Sequence, residues 1–149
     1  MKMRRRLHVL RQLLNPSDVF LFFRILCFAA ATPALLRLKL PRLEALLEPK
    51  TTPVILEPDR VQKIASTVDY ALRAGRPLVR RSCLTRGLTL YYFLRRAGLE
   101  VMLCFGMGKV EGEFAGHCWL VKDGEPFLEK QDPRPLFTEI YAMPQRPSS

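Results

Sequence analysis

Behind Gly98 the hydrophobic period of the chain changes from 3.6 residues to 2, which limits the fold to helices followed by strands. Upstream, PDRVQKIASTVDYALRAG puts Val61, Ile64, Val68, Ala71 and Leu72 on one helical face, with Gly75 as a stop signal. A second helix is predicted from Cys83 to about Ala97, with Leu84, Leu88, Tyr91 and Leu94 marking its turns. Arg95 and Arg96 suit its C-terminus, where the helix dipole is negative. Downstream, EVMLCFGM, EFAGHCWLV and EPFLE read as strands, the last two joined by a hairpin at Lys122-Asp123-Gly124. This order implies an α+β fold, with helices packed on a small antiparallel sheet.

Residues 1–50 form a basic and apolar helical segment. A basic amphipathic helix comes first, then a helix that is apolar from Val19 to Leu36 and is N-capped by Ser17 or Asp18. Arg24 and Pro33 interrupt that run and leave it short of the ~20 apolar residues a membrane span needs, so it reads as a core or interfacial helix. Residues 41–57 hold three prolines and little periodicity, as a connector would. Residues 51–141 carry the candidate chemistry, and 142–149, ending PQRPSS, read as a disordered tail.

The net charge of +10 is uneven: +7 over residues 1–50, +5 over 51–100 and −2 over the remainder. A basic front attracts nucleic acid, an anionic membrane surface or an acidic partner. No zinc-finger, helix-turn-helix or aromatic RNA-binding motif accompanies it, so nucleic acid is not the expected partner. The four cysteines, Cys27, Cys83, Cys104 and Cys118, form no CxxC pair, and His8 and His117 are the only histidines. A zinc site and a disulfide framework are therefore not expected. With no apolar run followed by a small-residue cleavage site, the expected setting is a reducing cytoplasm. Cys27 and Cys104, both in apolar runs, read as core.

Cys83 opens a helix just behind Arg80 and Arg81, and helix-terminal amides and nearby cations both favour thiolate over thiol. The same amides can hold the oxyanion formed when a thiolate attacks a carbonyl. Such a thiolate needs an imidazole, and with His8 in a basic arm the candidate is His117. Strand alternation sets His117 and Trp119 on one face and Cys118 on the other, which argues against Cys118 as nucleophile. Trp119 can wall an active site or fill the core. A three-residue loop at 122–124 would place Glu129 directly opposite His117, where it can orient the ring; a two-residue loop would set it against Cys118, on the wrong face. Asp123, a turn residue before glycine, is the competing carboxylate, and Asp132 a weaker one.

These residues resemble a known family, the peptidases that remove leader peptides from lasso-peptide precursors, a branch of the transglutaminase-like superfamily with a papain-related core. SCLTRGLTLYYFLRRAGLEVMLCFG resembles its nucleophile segment and GHCWLVKDGEPFLE its histidine segment. The N-terminal helices also fit, so the resemblance covers nearly the whole chain. It implies Cys83 as nucleophile, His117 as general base and acid, and Glu129 as the orienting carboxylate. The family usually has Asp at that last position and Ala where this chain has Cys118. Arg86 matches the arginine of the nucleophile motif, and the resemblance leaves open whether it binds substrate or anchors the helix. The implied partners are the precursor peptide, a small separate leader-recognition protein and a neighbouring ATP-consuming cyclase. No metal or organic cofactor is needed for thiol chemistry, and this chain has no Gly-rich phosphate loop.

Overall fold

The computed structural model describes residues 15–50 and 52–145. The basic amphipathic helix expected at the start of the chain lies outside this range. Helix α1 (Pro16–Leu35) opens with Asn15 as N-cap and Pro16 in its first turn, where a missing N–H costs nothing. Ser17 and Asp18 therefore lie inside the helix, and neither caps it. Asp18 instead favours the positive helix end and pairs with Lys63. Pro33 falls so close to the C-terminus that the helix runs unbroken for 20 residues, and its most apolar 18-residue window has a mean hydropathy of 1.7. By length and composition alone it can cross a membrane, although it is expected as a core or interfacial helix. Only a narrow strip, Ile25, Ala29 and Thr32, is buried in the protein.

Part of the expected connector is helical: α2 (Leu40–Leu47) has Pro41 in its first turn and buries Leu43 and Leu47, one turn apart. Helix α3 (Pro58–Ala74) buries Ile64, Ala65, Val68, Ala71 and Leu72, as its periodicity predicts. Gly75 follows it at φ −76°, an ordinary conformation. What requires glycine there is space, since a Cβ would sit 2.7 Å from the side chains of Leu26 and Val79. Helix α4 (Cys83–Arg96) is buried along most of its length.

Four antiparallel strands follow, β1 (Met102–Val110), β2 (Glu113–Lys122), β3 (Glu125–Phe127) and β4 (Thr138–Met143), in the order β3-β2-β1-β4. Strand β4 is absent from the sequence reading because Thr138, Glu139 and Ile140 are all exposed, so no alternating pattern marks it. Its backbone pairing with β1 makes the strand. Residues 142 and 143, assigned above to the tail, thus belong to the sheet, and Gln145 donates its N–H to Glu44. Leu103, Phe105, Cys118 and Leu120 share the sheet face that meets α4. Ile25 and Ala29 of α1 and Leu43 and Leu47 of α2 enter the same hydrophobic core as Leu88, Tyr91, Leu94, Leu103 and Leu120. The N-terminal segment and the Cys/His region therefore share one core.

Candidate active site

Ser82 closes the N-terminus of α4: its Oγ accepts the Thr85 N–H at 3.1 Å, and its carbonyl accepts the Arg86 N–H at 3.0 Å. The amides of Cys83 and Leu84 are left without an acceptor inside the helix, beside an exposed Cys83 thiol. The Cys83 pKa is lowered to about 5. The largest cause is a hydrogen bond from the Cys118 thiol; burial opposes it, and the His117 imidazole and the Cys118 backbone N–H assist. Cys118 is pushed the other way, because its proton is held by the Cys83 sulfur and its own burial disfavours a charge. It stays a thiol and acts as a donor, a role the sequence reading missed. A geometric signal supports it: Gly87 lies one turn beyond Cys83, and a Cβ there would meet the Cys118 Sγ at 3.0 Å.

His117 projects from the other face of β2, opposite Gly106 in the register. Its ring stacks on Trp119 at 6.1 Å between centroids and meets Phe137 at 5.1 Å. Trp119 is 2% exposed, so it supports the imidazole from below and offers a substrate almost no surface. Gly106 makes room for it, since a Cβ at that position would lie 2.7 Å from the indole. Phe137 and Gly106 are further site residues that the sequence reading did not single out.

Glu129 reaches His117, but not by the expected route. The hairpin loop has two residues, Asp123 (φ 52°) and Gly124 (φ 83°), and Lys122 pairs with Glu125. Extended onward, that register sets position 129 against Cys118, on the wrong face. The structure escapes this because β3 stops at Phe127 and Leu128 turns left-handed, at φ 59°. Glu129 Oε2 then lies 3.6 Å from His117 Nε2. Burial raises the Glu129 pKa, against the opposing charges of Arg86 and His117. Asp123 sits at the hairpin tip, paired with Lys122 and six residues from His117, roughly 20 Å along the strand. Asp132 is engaged by Arg134.

Arg86 ties these parts together. Its Nε donates to Asp69 of α3 at 2.8 Å, its Nη2 to the Leu128 carbonyl at 3.3 Å, and its Nη1 lies 3.7 Å from Glu129 Oε1. Arg86, open between substrate binding and anchoring, thus fixes the turn that delivers Glu129, and Trp119, open between site wall and core, braces the ring. Cys104 is buried as expected, whereas Cys27 is exposed on α1. Among the described residues, no group of three or more His, Cys, Asp or Glu side chains is placed to hold a metal.

A family model of the transglutaminase-like superfamily matches residues 28–142. The chain belongs to that superfamily, whose members are generally cysteine hydrolases or transferases. The α+β architecture is consistent with such a domain. No curated protein and no solved structure matches the chain.

Proposed function

We propose that this protein is a cysteine peptidase that removes the leader from a lasso-peptide precursor. One observation carries the reading: an exposed, acidic Cys83 lies against His117, which itself lies at ion-pair distance from a carboxylate. The Cys83 thiolate attacks the carbonyl carbon of the bond between leader and core, and the Cys83 and Leu84 amides receive the oxyanion. His117 protonates the departing amine as the C–N bond breaks, leaving a thioester on Cys83. Water, losing a proton to His117, then attacks the thioester; the leader leaves as a carboxylic acid and the thiolate returns. Glu129 holds the ring through this cycle, and Arg86 and Trp119 hold the groups around it. The chemistry requires no cofactor.

In this reading the protein works in the cytoplasm with a small leader-recognition protein that presents the precursor, upstream of an ATP-consuming cyclase. The basic N-terminal part associates with the membrane surface. Mass spectrometry of a candidate precursor, incubated with the protein and its leader-binding partner, tests the proposal. Wild type should yield two fragments whose masses sum to precursor plus one water, and Cys83→Ala none. A stable acyl-enzyme with other acyl donors, and no precursor cleavage while the partner binds its leader, would instead favour an amidase or acyltransferase acting on another substrate.

A further inference from the structure

On the reading that Cys83 attacks a peptide bond, we infer that the chain to be cut binds as an added strand along the open edge of β2, at Phe114, Gly116 and Cys118. The direction of each backbone group on β2 follows from its two hairpins. Val110 and Glu113 flank the two-residue turn Glu111-Gly112, with φ 52° and 88°, and Lys122 and Glu125 flank Asp123-Gly124. In such turns the flanking pair exchanges both hydrogen bonds, and bonded pairs then recur at every second residue. The first hairpin points the odd-numbered residues of β2 at β1. The second points the even-numbered ones at β3, so the two agree.

Strand β3 ends at Phe127, opposite Leu120. Beyond it, Cys118, Gly116 and Phe114 direct their N–H and C=O groups outward, where no strand pairs with β2 among the described residues. One of these groups already shows where the edge leads: the Cys118 N–H is among the donors that favour the Cys83 thiolate. Gly116 and Phe114 are exposed, and a Cβ on Gly116 would find only the Gly106 carbonyl, at 3.9 Å. An unpaired edge is a template for another extended chain. In a chain running parallel to β2, one residue donates its N–H to the Gly116 carbonyl and turns its own carbonyl toward the Cys118 N–H and the thiolate, while the carbonyl two residues earlier accepts the Gly116 N–H. The ligand class is an extended peptide with a free N–H opposite Gly116. Proline or an N-methylated residue is excluded at that position.

The test compares two reagents on the full-length protein. N-acetyl-Ala-Ala-Ala chloromethyl ketone carries a peptide backbone, and iodoacetamide does not. In both, the thiolate displaces a halide from carbon. Gly116→Pro removes an outward N–H without touching the β1 ladder, and Gly116→Ala keeps it. The ratio of peptide to iodoacetamide labelling rates should fall about tenfold in Gly116→Pro, as for one hydrogen bond lost, and hold in Gly116→Ala. An unchanged ratio in Gly116→Pro overturns the edge site and leaves the nucleophile standing. If iodoacetamide fails to label Cys83 in wild type, the nucleophile reading falls and the edge site with it. N-methylation of the reagent provides the same test without a variant. Methylating one of two neighbouring alanines should slow wild-type labelling about tenfold and methylating the other should not, because alternate amides face β2. Equal effects at both positions overturn the inference.

Discussion

Among the site residues, Cys118 changes most in meaning between sequence and structure. Its thiol is the largest single cause of the depressed Cys83 pKa, ahead of the imidazole. Cys118→Ala should therefore raise the pH at which Cys83 becomes a thiolate, from about 5 toward the ordinary thiol value of 9.0. The sign is that of an acid losing a donor to its charged form: reactivity rises with pH through the midpoint, and the variant's midpoint lies higher. The pH profile of iodoacetamide labelling measures this shift. Its midpoint is the quantity to read, because a thiolate of higher pKa is also intrinsically more nucleophilic, which masks the change in rate at one pH. A midpoint unmoved by Cys118→Ala would return the depression to His117 and the helix terminus. That Cys83 and His117 come together was legible in the sequence, one from its place at the start of a helix and the other by elimination. The role of Cys118 was not, because strand alternation reports which face a side chain takes and says nothing of what waits on that face.

At the level of elements, the informative segment is the one leaving β3. The helices from 58 and from 83 declare themselves through periodicity, and the paired hairpin strands through alternation. The delivery of Glu129 is a different matter. A left-handed leucine is disfavoured by roughly 1–2 kcal/mol and carries no sequence signature. It is held by a tertiary contact, the bond from Arg86 to the Leu128 carbonyl. The three-residue loop that would set Glu129 opposite His117 does not form; the contact exists because Leu128 reverses the face that the two-residue loop sets. Leu128→Pro isolates this device, since proline holds φ near −65° and cannot adopt 59°. Cleavage should fall roughly 10²-fold, to the level of Glu129→Ala, while iodoacetamide still labels Cys83. Retention of wild-type cleavage in Leu128→Pro would remove Glu129 from the mechanism.

For the whole molecule, an exposed apolar and basic surface on and just beyond α1 lies across α4 from the sheet that carries the candidate site. Helix α1 packs against α3 and α4, and α4 in turn packs against β1 and β2, so α4 lies between α1 and the sheet. The outer side of α1 leaves Phe20 65% and Phe23 55% exposed. Just beyond it, exposed Leu36, Leu38 and Leu40 alternate with exposed Arg37, Lys39 and Arg42. Aromatic and aliphatic groups interleaved with cations, in a segment of net charge +7, fit the interface of an anionic bilayer. The protein should cosediment with vesicles containing phosphatidylglycerol at low salt and release as salt screens the attraction. Phe20→Asp with Phe23→Asp should weaken this binding at least about tenfold, since each aromatic contributes 1.5–3 kcal/mol or so when fully buried. The same double variant should leave iodoacetamide labelling of Cys83 unchanged, because α4 lies between α1 and the sheet. If wild type and the double variant cosediment equally, α1 is not the contact. If binding and labelling fall together, α1 supports the fold rather than facing the lipid.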